Sequence, residues 1–159
     1  MFFIYKLIEL RYLYHQKTKT MQRIILIGML FLSGVLTSFS QENHTITIDF
    51  KGMKSDKGDI YVALYNKADD FLKKPLKGVI VKVVNKNATV TLKDVSTGVY
   101  AISAFHDVND NKKMDTNFFG IPKEPTGMSN DAKAFMGPPK YEDAKFNVDK
   151  NITISINIK

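Results

Sequence analysis

Over residues 41–159 the apolar side chains recur at every second position, and that period restricts the fold more than any other feature. His44–Phe50 reads HTITIDF, with Ile46, Ile48 and Phe50 on one side and Thr45, Thr47 and Asp49 on the other. A two-residue period belongs to a strand with one buried face. The last segment, Asn151–Ile158, repeats the pattern with Ile152, Ile154, Ile156 and Ile158. Between them come Ile60–Tyr65, Gly78–Val84, Ala88–Leu92 and Val99–Phe105, with a weaker alternation at Phe146 and Val148. Ile60–Tyr65 (IYVALY) is apolar on both faces, as a central strand would be. Turn-forming residues separate the runs: Lys57-Gly58-Asp59, a tight Asn85-Lys86-Asn87 hairpin turn, and an Asp94–Gly98 loop. Ala68–Lys74 has room for one helical turn before Pro75. The expected fold is all-β: a single antiparallel two-sheet sandwich of about seven strands. A chain that is 44% hydrophobic and 25% charged has the composition of one globular domain.

The first forty residues read differently. Residues 24–39, IILIGMLFLSGVLTSF, carry no charge. Sixteen residues are short for a spanning helix, which needs about 20, and suit the apolar region of a signal peptide. Lys17, Lys19 and Arg23 supply the positive flank, and Ser38 and Ser40 place small residues before a cut ahead of Gln41. Met21 stands at the natural start of such a signal, which leaves residues 1–20 as extra chain with no domain of their own. The alternative is an uncleaved membrane anchor. Both place residues 41–159 in an extracytoplasmic compartment, periplasmic or secreted.

Charge narrows the partners. Of the formal net charge of +7, much lies in the leader, where Lys6, Arg11, Lys17, Lys19 and Arg23 face only Glu9. Every basic residue of 41–159 is Lys. Arg is the side chain that grips phosphate and guanine bidentately, so nucleic acid is not an expected partner. The chain has no Cys, which removes disulfides, thiolate metal sites and cysteine nucleophiles.

The strand rhythm breaks once, over residues 106–142. Four of the five prolines, Pro122, Pro125, Pro138 and Pro139, lie there. The aromatics Phe118, Phe119, Phe135 and Tyr141 point to a packed excursion with a helical turn near Asp131–Phe135. Its opening carries the chain's clearest chemistry. Asp107, Asn109, Asn111 and Asp115 stand at relative positions 1, 3, 5 and 9, with the Lys113 carbonyl at position 7. Alternate oxygen side chains in a tight loop converge on one point, as in the first half of a calcium-binding loop of the EF-hand kind. Oxygen ligands without Cys suit Ca²⁺ rather than Zn²⁺. Lys112 stands at position 6, where a glycine is usual, and Phe118 at position 12, where a bidentate Glu is usual. So few anionic ligands imply a Kd of about 10⁻⁴–10⁻³ M. The competing reading is a metal-free turn, since Asn and Asp bond their own backbone and accumulate in turns. His106 beside Asp107 also invites a hydrolase reading with Glu124, but no nucleophile motif accompanies them.

These residues resemble a family of secreted bacterial proteins known as domain of unknown function 2141. The shared pattern runs Gly98-Val99-Tyr100-Ala101 to His106-Asp107, then Asn109, Asn111 and Asp115, then Gly120-Ile121-Pro122-Lys123-Glu124 and Gly127-Met128-Ser129-Asn130. The resemblance covers nearly all of 45–158 and implies an immunoglobulin-like or transthyretin-like sandwich. It implies no enzyme activity. Lys112 departs from a glycine common in the family. The turn from Leu92 to Gly98-Val99-Tyr100 also resembles a corner of prealbumin-like surface modules.

The expected function is therefore a non-catalytic extracytoplasmic module that binds a ligand or protein through its excursion. A structural envelope component and a hydrolase using His106 and Asp107 are the alternatives. A monomer is expected, with membrane contact only through an uncleaved leader. Mass spectrometry of the protein recovered from cells is expected to find its N-terminus at Gln41; an intact Met21 in the membrane fraction would overturn the cleavage reading.

Overall fold

The computed structural model describes residues 2–33 and 42–159. The chain divides into two units, Met1–Ser40 and Gln41–Lys159. In the first, one helix, α1 (Phe2–Ser33), runs without a break through Met21. Among the described residues no helix is long and apolar enough to cross a membrane. The expected cut before Gln41, and Ser38 and Ser40 with it, lie outside the described residues.

The second unit is a two-sheet all-β sandwich. Its strands are β1 (Asn43–Lys51), β2 (Asp59–Tyr65), β3 (Lys77–Lys82), β4 (Ala88–Ser96), β5 (Gly98–Asp107), β6 (Thr126–Met128), β7 (Phe146–Val148) and β8 (Ile152–Asn157). One sheet has the order β4-β1-β8. The other runs β3-β2-β5-β6, and β7 also pairs with β5. β5 is long enough to hold both neighbours on one side: Gly98–Tyr100 pairs with β7, and Ser103–Phe105 pairs with β6.

Period-two burial builds the core. Ile46, Ile48 and Phe50 of β1 are fully buried, while Thr45, Thr47 and Asp49 between them are half-buried. Val90 and Leu92 of β4 and Ile156 of β8 join them from the same sheet. Ile60, Val62 and Leu64 of β2 and Tyr100, Ile102 and Ala104 of β5 meet them from the other. β2 lies between β3 and β5, the central place its sequence indicates. Its outer face is partly covered too, because Tyr65, Phe71, Ala101 and Ala144 form a second small cluster.

Four expectations are corrected. The sandwich is not antiparallel throughout: β1 and β8 pair in parallel, from Ile46 opposite Ile152 to Lys51 opposite Asn157. Alternation looks the same in both directions, and only the long route from β1 through the other sheet to β8 sets the sense. β4 does not stop at Leu92. A bulge absorbs Lys93 and Asp94 opposite Thr45, with Asp94 at φ 59°, and the strand continues to Ser96. An eighth strand, β6, forms inside the excursion. The helical turn expected near Asp131–Phe135 is a 3-10 turn at Ser129–Asp131 and a short helix, α2 (Tyr141–Ala144). The hairpin turn is as expected, with Asn85 and Lys86 both at positive φ.

The excursion is tied down at β6. Thr126 and Lys159 exchange two backbone hydrogen bonds of 2.9 Å, which joins the edges of the two sheets. Gly127 permits this approach, since a Cβ there would lie 2.8 Å from the Asn157 carbonyl oxygen and from Ile158. Buried Ser129 accepts the Ile102 N–H at 2.9 Å and donates to the Ala144 carbonyl. Replacing Ile48, Leu64 or Ile102 by Ala is expected to cost about 2–4 kcal/mol each in denaturant unfolding. Ile154 is only partly buried, so its replacement should cost less than any of these.

Candidate functional site

The site grows from the end of β5. Side chains alternate along a strand, so His106 continues the core face of Ile102 and Ala104, and Asp107 continues the outer face of Ser103 and Phe105. Both are buried, at 1% and 0% exposure. The His106 ring Nε2 stands 2.7 Å from the Lys57 carbonyl oxygen. That oxygen can only accept, so Nε2 carries the proton. Nδ1 is buried without a partner. Gly58 presses on the same place: a Cβ there would meet the Asp107 carbonyl oxygen at 1.7 Å.

Asp107 organises the loop that follows. One carboxylate oxygen accepts the Asn111 N–H at 3.2 Å and the other the Lys112 N–H at 2.7 Å. Lys112 sits at φ 67°. Position 6 therefore takes the left-handed turn that a glycine usually makes, with a lysine in its place. Asn109 Oδ1 accepts the Asn111 N–H, and Asn111 Oδ1 accepts the Lys113 N–H. These are consecutive Asx turns. The two amide NH₂ groups both donate to Asp115 Oδ2, at 2.7 and 2.9 Å. Those two bonds, Asn109 first, hold the Asp115 carboxyl below its ordinary range. Lys113 is exposed and enters the network through its backbone N–H.

Thus Asn109, Asn111 and Asp115 are brought together directly, and Asp107 caps the same turn. The convergence takes the form of Asx turns: both Asn oxygens are occupied by backbone N–H groups. Among the described residues no three His, Cys, Asp or Glu side chains converge as metal ligands. A cation here would draw on Asn and backbone oxygens and would have to turn both amides. Phe118 at position 12 is 97% exposed and takes no part.

The carboxylate absent from position 12 arrives from further along the chain. Glu124 Oε2 accepts the Asp115 N–H at 3.2 Å, and Lys123 N–H donates to the Asp115 carbonyl. Glu124 Oε1 is buried with no partner. Burial first, and then the charges of Asp107 and Asp115, raise the Glu124 carboxyl above its ordinary range. Asp107 also lies within hydrogen-bonding reach of it. The sequence pattern offers Glu124 only as a possible acid beside His106. Its place next to Asp115 depends on the hairpin between them, where Thr116 bridges Pro122. The His106 and Asp107 side chains bond different partners. The His106 ring bonds Lys57, and the Asp107 carboxylate bonds the loop.

Beside the loop, Tyr61 and Phe105 stack with centroids 4.9 Å apart. The Tyr61 hydroxyl is raised by burial first and then by Asp107, Asp110 and Asp59, so this end of the sheet is electronegative. Lys82 pairs with Asp59 at 2.8 Å.

The fold and this loop together define an all-β sandwich module with an Asx-built loop at the end of a central strand. Residues 48–155 match the family described as an uncharacterized protein conserved in bacteria, domain of unknown function 2141, and the chain belongs to that family. No curated protein and no solved structure matches the chain.

The raised Glu124 carboxyl gives a pH test. Its folded value exceeds the unfolded value of about 4.3, so its ionisation opposes folding above that range. Glu124→Gln keeps an oxygen for the Asp115 N–H and removes the charge. The variant is expected to melt higher than the wild-type protein at pH 7. The gap should close as the pH falls below the ordinary Glu range, as followed by thermal melts across pH.

Proposed function

We propose that residues 41–159 form a non-catalytic extracytoplasmic binding module whose 107–124 loop takes up Ca²⁺ weakly. The observation that carries this reading is the buried, unpartnered Glu124 Oε1 beside Asp107 and Asp115. A carboxylate with one oxygen left without a donor among like charges is relieved by a proton or by a cation. Asp107 and Asp115 would supply the ligand charge, Asn109, Asn111 and the Lys113 carbonyl the remaining oxygens, and Glu124 would add its charge from beside the loop. The left-handed turn at Lys112 supports the same reading, because it is the backbone turn such a loop uses. The need to turn two amides keeps the affinity low, at a Kd of about 10⁻⁴–10⁻³ M, which suits an extracellular compartment.

The non-catalytic part rests on the separation of His106 from Asp107 and on the bonding of His106 to a carbonyl rather than to a nucleophile. An immunoglobulin-like or transthyretin-like type of sandwich is part of the same proposal. It is supported by the corner at Tyr100, whose hydroxyl donates to the Ser96 carbonyl at 2.9 Å.

Calcium that binds only the folded state stabilises it by RT ln(1 + [L]/Kd), about 1.4 kcal/mol at ten times Kd. The wild-type protein is expected to melt higher in millimolar calcium than in chelator. Asp107→Asn should abolish that response, and Asp110→Asn should keep it, because Asp110 lies on the side of Tyr61 and Lys82. Lys112→Gly supplies the usual turn residue and should melt higher than wild type with its calcium response intact. Identical wild-type melting in calcium and chelator would leave the Asx turn as a purely structural device.

A further inference from the structure

The two side edges of the sandwich are not alike. On one, Thr126 and Lys159 join the sheets, and the Asn157 amide donates to the Asp131 carboxylate at 3.2 Å. On the other lie β3 and β4. Among the described residues β3 pairs only with β2, and β4 only with β1. Hydrogen bonds tie this edge at the Val84–Asn87 bridge of the connecting turn and at the Lys77 ammonium, which donates to the Lys93 carbonyl at 3.2 Å. An edge strand turns the N–H and C=O of alternate residues to solvent, and that row is a template for one more strand. Apolar side chains stand beside it. Leu76, Ile80 and Val84 are exposed. A groove of about 310 Å³ lies at the turn, lined by Val81, Lys82, Val84, Asn87, Ala88 and Thr89.

Charge selects the partner. Residues 41–159 carry 18 Lys against 15 acidic side chains. Residues 56–94 hold eight of those Lys and five of the acids, so the rest of the domain is balanced and the whole net charge of +3 falls in this segment. Within it, Phe71–Lys93 has six Lys and no acid: Lys73, Lys74, Lys77, Lys82, Lys86 and Lys93, all exposed. Of the five acids, Asp59 pairs with Lys82, and Asp56 accepts the Lys86 backbone N–H. A second copy of this chain is a poor occupant. In-register antiparallel pairing of β3 with itself sets Lys77 opposite Lys82, and like charges directly opposite are destabilising. An acidic strand meets the same lysines as counter-ions.

We propose that β3 is a docking edge for an extended acidic peptide segment of a partner protein, which adds as a further strand beside Lys77–Lys82. Backbone hydrogen bonds hold the segment, and its carboxylates meet Lys74, Lys77 and Lys82. A six-residue edge offers less than the about 800 Å² per partner of a stable complex, so the contact is transient. The edge shares no residue with the 107–124 loop, and its test is run in chelator so that it and the calcium reading fail separately.

The probe is a synthetic peptide, acetyl-Glu-Val-Glu-Thr-Glu-Val-Glu-amide, and the readout is amide hydrogen exchange of the full chain resolved by NMR. The peptide should slow exchange several-fold at alternate amides of Lys77–Lys82, the ones that β2 leaves open. The same peptide with Lys in place of Glu should not. Lys74→Gln with Lys77→Gln should weaken the effect of the acidic peptide several-fold. Lys140→Gln with Lys150→Gln, which removes two exposed charges outside 56–94, should leave it intact. No slowing in β3 would overturn the proposal. Equal loss in both double variants would also overturn it, in favour of attraction by net charge alone. Protection of β3 that rises with protein concentration in the absence of peptide would overturn it in favour of pairing between copies of this chain.

Discussion

The packing of two alternating faces against each other is what everything else in the domain rests on. Ile46, Ile48 and Phe50 on one sheet and Ile60, Val62, Leu64 and Ile102 on the other are all but sealed from water. No Cys reinforces this contact, so apolar burial has to hold the two sheets together without covalent help. The sheets are also joined at one edge by the Thr126–Lys159 backbone pair. Because that pair lies in β6, the same contact fixes the far end of the excursion. The loop between β5 and β6 is therefore held at both ends by the core.

β5 transmits that rigidity to the site. It is paired along both edges, with β2 on one side and β6 and β7 on the other. Its first half carries Tyr100, which turns back to Ser96. Its last residue is Asp107, buried and bonded to two N–H groups of the loop it begins. A carboxylate fixed on a central strand can organise a loop that has little hydrophobic support of its own. The chain of Asx turns from Asn109 through Asn111 to Asn117 then satisfies backbone groups that no sheet reaches.

That loop combines two features a purely structural connection does not need. One is the Glu124 carboxylate, raised by burial and by its acidic neighbours. The other is the Phe118–Phe119 tip, exposed although the Asn117, Phe119, Gly120 and Ile121 N–H groups around it are all bonded. Loops on rigid scaffolds are where such costs are tolerated, because the core supplies the stability. The two features lie on one hairpin, which links the carboxylates at its base to the apolar groups at its tip.

How far the chain can be read without its structure follows from the range of each interaction. Alternation is local, so HTITIDF and NITISINI show their strands and their buried faces directly, and IYVALY shows a strand covered on both sides. The Asn85-Lys86 turn and the Asx spacing of 107–115 are equally local, and both are present. What lies beyond the sequence is set by groups distant along the chain. The parallel pairing of β1 with β8 joins strands about a hundred residues apart, and the alternation of Ile152–Ile158 is the same in either direction. The bulge at Asp94 comes from matching β4 to β1, and β6 exists because the returning chain finds the free edge of β5, with Lys159 bonding Thr126 from the other sheet. Glu124 joins Asp107 and Asp115 only once the 116–122 hairpin has closed. Residue types and local period thus determine the strands and the turn chemistry. Tertiary contact alone decides strand direction, sheet closure and which carboxylates meet, because those depend on long-range pairing that local alternation does not encode.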